Sequence, residues 1–286
     1  MTELVALLDY QFARNALAAA VLASLLAGTV GTFVTVKRLV FVAGGISHAA
    51  FGGLGFCYWL GAPPLLGAVV VAVAAALFLG WFGDNRARSR DALIGLLWAG
   101  GMATGIVFIH LTPGFAPNLL VYLFGDILTV TRTDVWLLAG VTALIGIILV
   151  LFYRPLVAVA FDETFAAVQG VPVRAMTTLL LVLVALAVIM LIQVVGIVLL
   201  MALLTIPPLI ALMLAQRFVL VLAVAVVAGL VTATGGLASS YWLDLPSGPT
   251  IVLVGIVLVG VTRGGVWLRN WRWRRSGAAR AAGDGG

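Results

Sequence analysis

The sequence predicts an all-α, polytopic membrane bundle. Three observations carry that reading. Hydrophobic residues make up 64% of the 286-residue chain and charged residues only 9%. Apolar runs of about twenty residues, the length that crosses a bilayer, recur from end to end. Charged side chains gather where those runs stop. No polar stretch exceeds about thirty residues, too few for a soluble domain, so residues 1–286 form one transmembrane domain. The single cysteine, Cys57, falls inside an apolar run, which excludes a disulfide framework. The net charge of +6 does not indicate a nucleic-acid surface, because the basic residues sit beside spans on one side.

Nine spans follow in order, at 12–36, 39–60, 64–82, 92–111, 133–153, 176–194, 196–215, 218–242 and 249–267. The number falls to eight if the first or last lies at the interface. The first is expected to be a retained span, since Glu3 and Asp9 precede it where a cleaved signal carries basic residues. From Met176 to Ala215 there is no charge over about twice a bilayer crossing, so the chain must reverse, and Gln193–Gly196 is the expected turn. With the N-terminus outside, every basic residue except Arg14 and Arg132 falls inside. The C-terminus is then cytoplasmic, and residues 268–286 form a basic tail whose Trp267–Arg275 stretch anchors at the membrane surface. Short Pro/Gly-rich caps close the outer side at 61–64, 112–118 and 244–249. The apolar segment 119–131, too short to span, is expected to be re-entrant or surface-lying, with Asp126 near the outer face.

Two segments carry chemistry. The first is Phe41–Gly53, which places His48 near the middle of a span. A charged group at that depth costs a few kcal/mol, so it faces a bundle interior or a polar path. Imidazole is also the commonest side-chain ligand for zinc and related metals. The competing role is structural, a hydrogen bond to Ser47 or to a nearby backbone carbonyl. Gly44 and Gly45 permit close approach of a neighbouring helix or a passing solute. His110, at an outer helix end, reads as an ordinary interfacial residue.

The second segment is the cytoplasmic loop 154–175. Asp162 is placed to cap a helix of one or two turns, with Glu163 in its first turn where an anion suits the helix dipole. Phe161, Phe165 and Val168 share one face, and Gly170 followed by Pro172 stops the helix. Such a helix can dock into a groove on a partner or lie on lipid headgroups. Farther on, Pro207–Pro208 interrupts helical hydrogen bonding and is either a hinge or a fixed kink.

Absences narrow the chemistry. The only lysine, Lys37, follows no glycine-rich phosphate loop, so the chain has no P-loop nucleotide site of its own. All ten acids lie at span ends or in loops, which disfavours coupling to a proton or sodium gradient through an intramembrane carboxylate.

Four stretches together, Val40–Ala49, Phe161–Pro172, Val195–Pro208 and Tyr241–Thr250, resemble the membrane permease of ATP-binding-cassette importers for zinc and manganese. The resemblance implies a non-enzymatic permease in the plasma (inner) membrane that passes zinc first and manganese second as substrate, with no permanently bound cofactor. It implies as partners a second copy of the chain, two cytoplasmic ATP-binding subunits and an extracytoplasmic metal-binding protein. His48 becomes a ligand in the translocation path beside Gly44, Gly45 and Ser47, while Phe161, Asp162, Glu163, Phe165 and Gly170 form the coupling helix. Many members carry an aspartate four residues before this histidine, where the present chain has Gly44. Losing that oxygen ligand suits manganese less than zinc. The alternatives are a permease for metal chelates such as haem or siderophores, and a gradient-driven secondary transporter or channel.

Overall fold

The computed structural model describes residues 9–82, 87–113, 125 and 127–283. Ten α-helices and one 3-10 turn account for the regular structure among them, and there is no strand. They are α1 (Gln11–Val36), α2 (Val40–Trp59), α3 (Pro64–Phe82), α4 (Ala87–Leu111), the 3-10 turn Ile127–Thr129, α5 (Arg132–Leu151), α6 (Tyr153–Phe161), α7 (Glu163–Val168), α8 (Val173–Leu214), α9 (Phe218–Leu243) and α10 (Ser247–Gly283). Eight of these are long and apolar enough to cross a membrane. Asp126, most of the loop before it and Arg86 lie outside the described residues. Trp267 and Trp271 on α10 are exposed, as an interfacial anchor requires.

α8 accounts for the difference between eight helices and nine expected crossings. Its 42 residues would run about 63 Å if straight, twice the hydrocarbon thickness. Gly196 breaks it, with φ 76° and ψ 170°, a conformation that a side chain would oppose. The contacts show a reversal at that point. Thr178 lies against Gly80, near the end of α3, and Leu204 lies against Gly31, near the end of α1. Gln193 lies between them in sequence yet reaches Asp134 in the first turn of α5, at the opposite end of the bundle. Residues 173–195 and 197–214 are therefore two antiparallel crossings, with the turn where the sequence places it.

Small residues set the packing. Hydrocarbon offers helices no hydrophobic reason to associate, so association depends on close van der Waals contact between backbones. In α1, Ala16, Ala20, Ser24 and Gly28 recur every four residues and are buried. A methyl at Gly28 would stand 2.8 Å from the backbone of Val226 on α9. Gly53 of α2 faces Gly67 of α3, and Gly52 and Gly55 of α2 face Gly101 and Gly105 of α4. α1, α2 and α8 thus form the buried centre, while α4, α5, α9 and α10 present most of their apolar surface outward, to lipid or to a neighbouring chain.

Pro207 and Pro208 leave the helix intact, and the departure from helical angles inside α8 is at Gly196. Pro208 has no N–H to give the carbonyl of Leu204. The Thr35 hydroxyl on α1 donates to that carbonyl instead, at 3.3 Å, which is how a neighbouring helix supports proline inside a membrane.

Three substitutions test these contacts. Gly101→Ala would push a methyl into the α2 backbone at Ala49 (2.5 Å), and should lower stability by about 1–3 kcal/mol. Gly100→Ala meets nothing within 4 Å and should leave the melting temperature of the detergent-solubilised protein unchanged. Thr35→Val keeps the shape and removes the donor, so the same assay should show a loss of about 1 kcal/mol.

Candidate functional site

His48 sits two turns into α2 and is buried, 8% exposed. Successive residues of α2 point to different features. Gly44, His48 and Gly52 face α4, whereas Ser47, Ala50, Phe51 and Leu54 face a cavity on another side of the helix. The imidazole stacks on the indole of Trp98 from α4, with ring centroids 4.3 Å apart and planes 21° apart. Gly44 makes room for that indole. A methyl at position 44 would stand 2.8 Å from Cζ3 of Trp98 and 3.3 Å from Cε of Met201. The room beside Gly44 is thus filled by Trp98 and Met201. Gly45 packs on Ile94 in the same α2–α4 seam, so both glycines serve close helix approach.

The hydrogen bond expected of a structural histidine is absent. Ser47 donates to the carbonyl of Gly44 at 2.7 Å, and His48 Nδ1 is buried without a hydrogen-bond partner. A buried polar atom left unpaired costs about 1–3 kcal/mol, and a ligand that takes up the nitrogen lone pair would remove that deficit. Among the described residues no group of three or more His, Cys, Asp or Glu gathers anywhere, so His48 offers one ligand and not a closed metal site.

The cavity, about 350 Å³, is bounded by Ser47, Phe51 and Leu54 on α2, Pro64 and Leu65 at the start of α3, Gly125 and Thr129, and Ile189, Gln193 and Ile197 around the α8 break. Gln193 Nε2 donates to Asp134 Oδ1 at 2.6 Å. The other carboxylate oxygen of Asp134 accepts from the backbone N–H and the hydroxyl of Thr131, and Thr131 Oγ1 caps the Asp134 N–H in return. Asp134 therefore completes the capping box that Thr131 opens and anchors the α8 turn. His110 is exposed in the last turn of α4.

At the other end, the loop 154–175 folds into two helices where the sequence suggested one. Asp162, extended at φ −151° and ψ 107°, ends α6 and caps α7 by accepting the N–H of Phe165 at 3.0 Å. Phe161 consequently belongs to α6, where it meets Phe218 edge-on at 5.5 Å. Phe161, Phe165 and Val168 are all exposed, whereas Ala166 is fully buried, so the apolar face points away from the bundle. Gly170, at φ 79°, ends α7, and Val171 N–H returns to the carbonyl of Ala166. Glu163 accepts a hydrogen bond from Lys37 at 2.6 Å, a partnership across the chain that no local pattern announces.

A bundle built on glycine contacts, with a mid-span histidine, a broken helix and a capped amphipathic helix at one end, defines a membrane transport protein. The ABC 3 transport family model matches residues 9–262, and the chain belongs to that family. It is 42% identical to an uncharacterized membrane protein of Synechocystis, over 87% of this chain and 89% of that one. It is 35% identical to the manganese transport system membrane protein MntC of Halalkalibacterium halodurans, over 94% of each. Among solved structures it resembles PsaBC from Streptococcus pneumoniae in complex with Fab, with a TM-score of 0.82 and 29% identity over 91% of this chain and 94% of that one.

Asp162→Ala should remove the cap of a six-residue helix at about 1 kcal/mol. Amide hydrogen exchange across 163–168 should accelerate about fivefold, with exchange in α2 and α8 unchanged.

Proposed function

We propose that this chain is the permease subunit of an ATP-driven importer of divalent transition-metal ions. The observation that carries the reading is the mid-span His48 with its unpartnered Nδ1. Family membership supports ABC transport, and the manganese transport relative supports a metal as the cargo. The end that carries Lys37, Glu163 and Arg174 is the cytoplasmic one on this reading, by the positive-inside rule. The exposed face of Phe165 and Val168 on α7 docks into a groove on an ATP-binding subunit. Two such subunits, a second copy of the permease and an extracytoplasmic metal-binding protein complete the assembly, which resides in the inner membrane.

Manganese and zinc are the two ions proposed. The named relative favours manganese. The donors at the site favour zinc, because imidazole is present and the carboxylate position is Gly44. Competition between the two ions for uptake into cells expressing the complete importer decides the order.

His48→Ala should lower uptake of radiolabelled metal by at least about tenfold, the scale on which metal sites respond to loss of a coordinating or supporting group. His48→Phe, which keeps a ring against Trp98 and removes the nitrogens, should lower uptake as far while the ATPase subunit stays bound, because Nδ1 bonds to nothing in the protein. A purely structural histidine would instead transport normally as His48→Phe and lose uptake as His48→Ala only through the packing defect. Phe165→Ala should release the ATPase subunit during gentle affinity purification while leaving the permease folded.

A further inference from the structure

Lys37, the only lysine in the chain, is almost wholly withdrawn from solvent, with its side chain 7% exposed. Its ammonium donates to Oε1 of Glu163 at 2.6 Å and to the carbonyl of Val159 at 2.9 Å. One group therefore binds α6 and α7 to the corner between α1 and α2, across 126 positions of sequence. That corner is stiff. Lys37 N–H returns to Phe33, Arg38 N–H to Thr35 and Leu39 N–H to Val34, at 2.9, 3.2 and 2.7 Å. Arg38 holds a left-handed φ of 58° between them. α2 begins at Val40 and carries His48 two turns farther on.

The strength of such a link depends on burial. An ion pair between exposed side chains yields little and breaks readily. Here the Lys37 end is buried although Glu163 is 45% exposed, and parting the two would take the carboxylate partner from a buried ammonium, which is costlier, so displacement of α7 pulls on the corner. We propose that Lys37 is a positioning residue that converts displacement of α7 into displacement of α2, and so of His48. This rests on the reading of α7 as the docking helix for an ATPase subunit. Lys37 acts here through Glu163 and Val159.

The test uses the whole importer, permease with its ATPase subunits, in proteoliposomes supplied with metal-loaded binding protein, and reads metal moved per ATP hydrolysed. Lys37→Met should keep the ATPase subunit bound and basal hydrolysis intact, while metal per ATP falls about tenfold, within the usual range of coupling between sites. Lys37→Arg should recover most of that ratio. Glu163→Gln should lower the ratio in the same direction and add nothing to Lys37→Met in the double variant, since both remove one link. The proposal is overturned if Lys37→Met transports at the wild-type ratio, or if folded Lys37→Arg fails to recover. It is also overturned if both changes lower the melting temperature but leave the ratio untouched, as for a merely structural pair. If the wild-type permease binds no ATPase subunit, the reading of α7 fails and this inference with it.

Discussion

Backbone-to-backbone contact along α2 is the constraint on which the rest of the molecule depends. A helix in hydrocarbon gains nothing by exchanging lipid for another apolar surface, so α2 is held by how closely its neighbours approach. Gly53 against Gly67 closes it on α3, and Gly52 and Gly55 close it on α4 through Gly101 and Gly105. That closeness leaves no slack around the polar groups α2 carries. Ser47 must satisfy itself within its own turn. His48 is pressed flat on Trp98, with one nitrogen left over. The same packing makes α2 a rigid arm, from the Lys37 corner at one end to the cavity around Leu54 at the other.

α8 shows the complementary condition, that every backbone interruption inside a membrane needs a partner. The two interruptions are treated differently. At Gly196 the chain reverses, and the turn is fixed from outside by Gln193 bound to the cap of α5 and by Gly125 lying against Val195. At Pro208 the chain continues, because Thr35 supplies the hydrogen bond that proline withholds from Leu204. The conspicuous Pro–Pro pair is thus the quieter site, and a glycine with a left-handed φ is where direction changes.

What could be read in the sequence was what is encoded locally. The spans follow from length and hydropathy, the reversal before residue 197 from an uncharged run too long for one crossing, and the Asp162 cap and Gly170 stop from residue types within a few positions of each other. The separate helix α6 was missed because Asp162 both ends one helix and starts the next, and the spacing of Phe161, Phe165 and Val168 fits a single helix just as well. The partners of His48, Asp134 and Glu163 were illegible for a firmer reason. Trp98, Gln193 and Lys37 are 50, 59 and 126 positions away, and nothing in a periodicity specifies which face of one helix meets which face of another. Gly44 illustrates this limit. The sequence registers only a missing carboxylate, while the structure shows that its room is filled by an indole.

That substitution bears on how a metal could pass. An ion entering a low-dielectric span must exchange its hydration shell for ligands, and a site that satisfies it fully would hold it. One imidazole cannot do so by itself, and among the described residues no group of three or more His, Cys, Asp or Glu gathers around it. Trp98, on the face of α4 that meets α2 and 36% exposed, covers His48 with a π-face that attracts cations but does not coordinate them. On the proposed reading of His48 as a ligand, water retained by the ion fills the remaining positions, and such a site is weak enough to release its cargo. A permease that draws its energy from ATP bound elsewhere needs that weakness more than affinity, because selection can be left to the protein that delivers the ion.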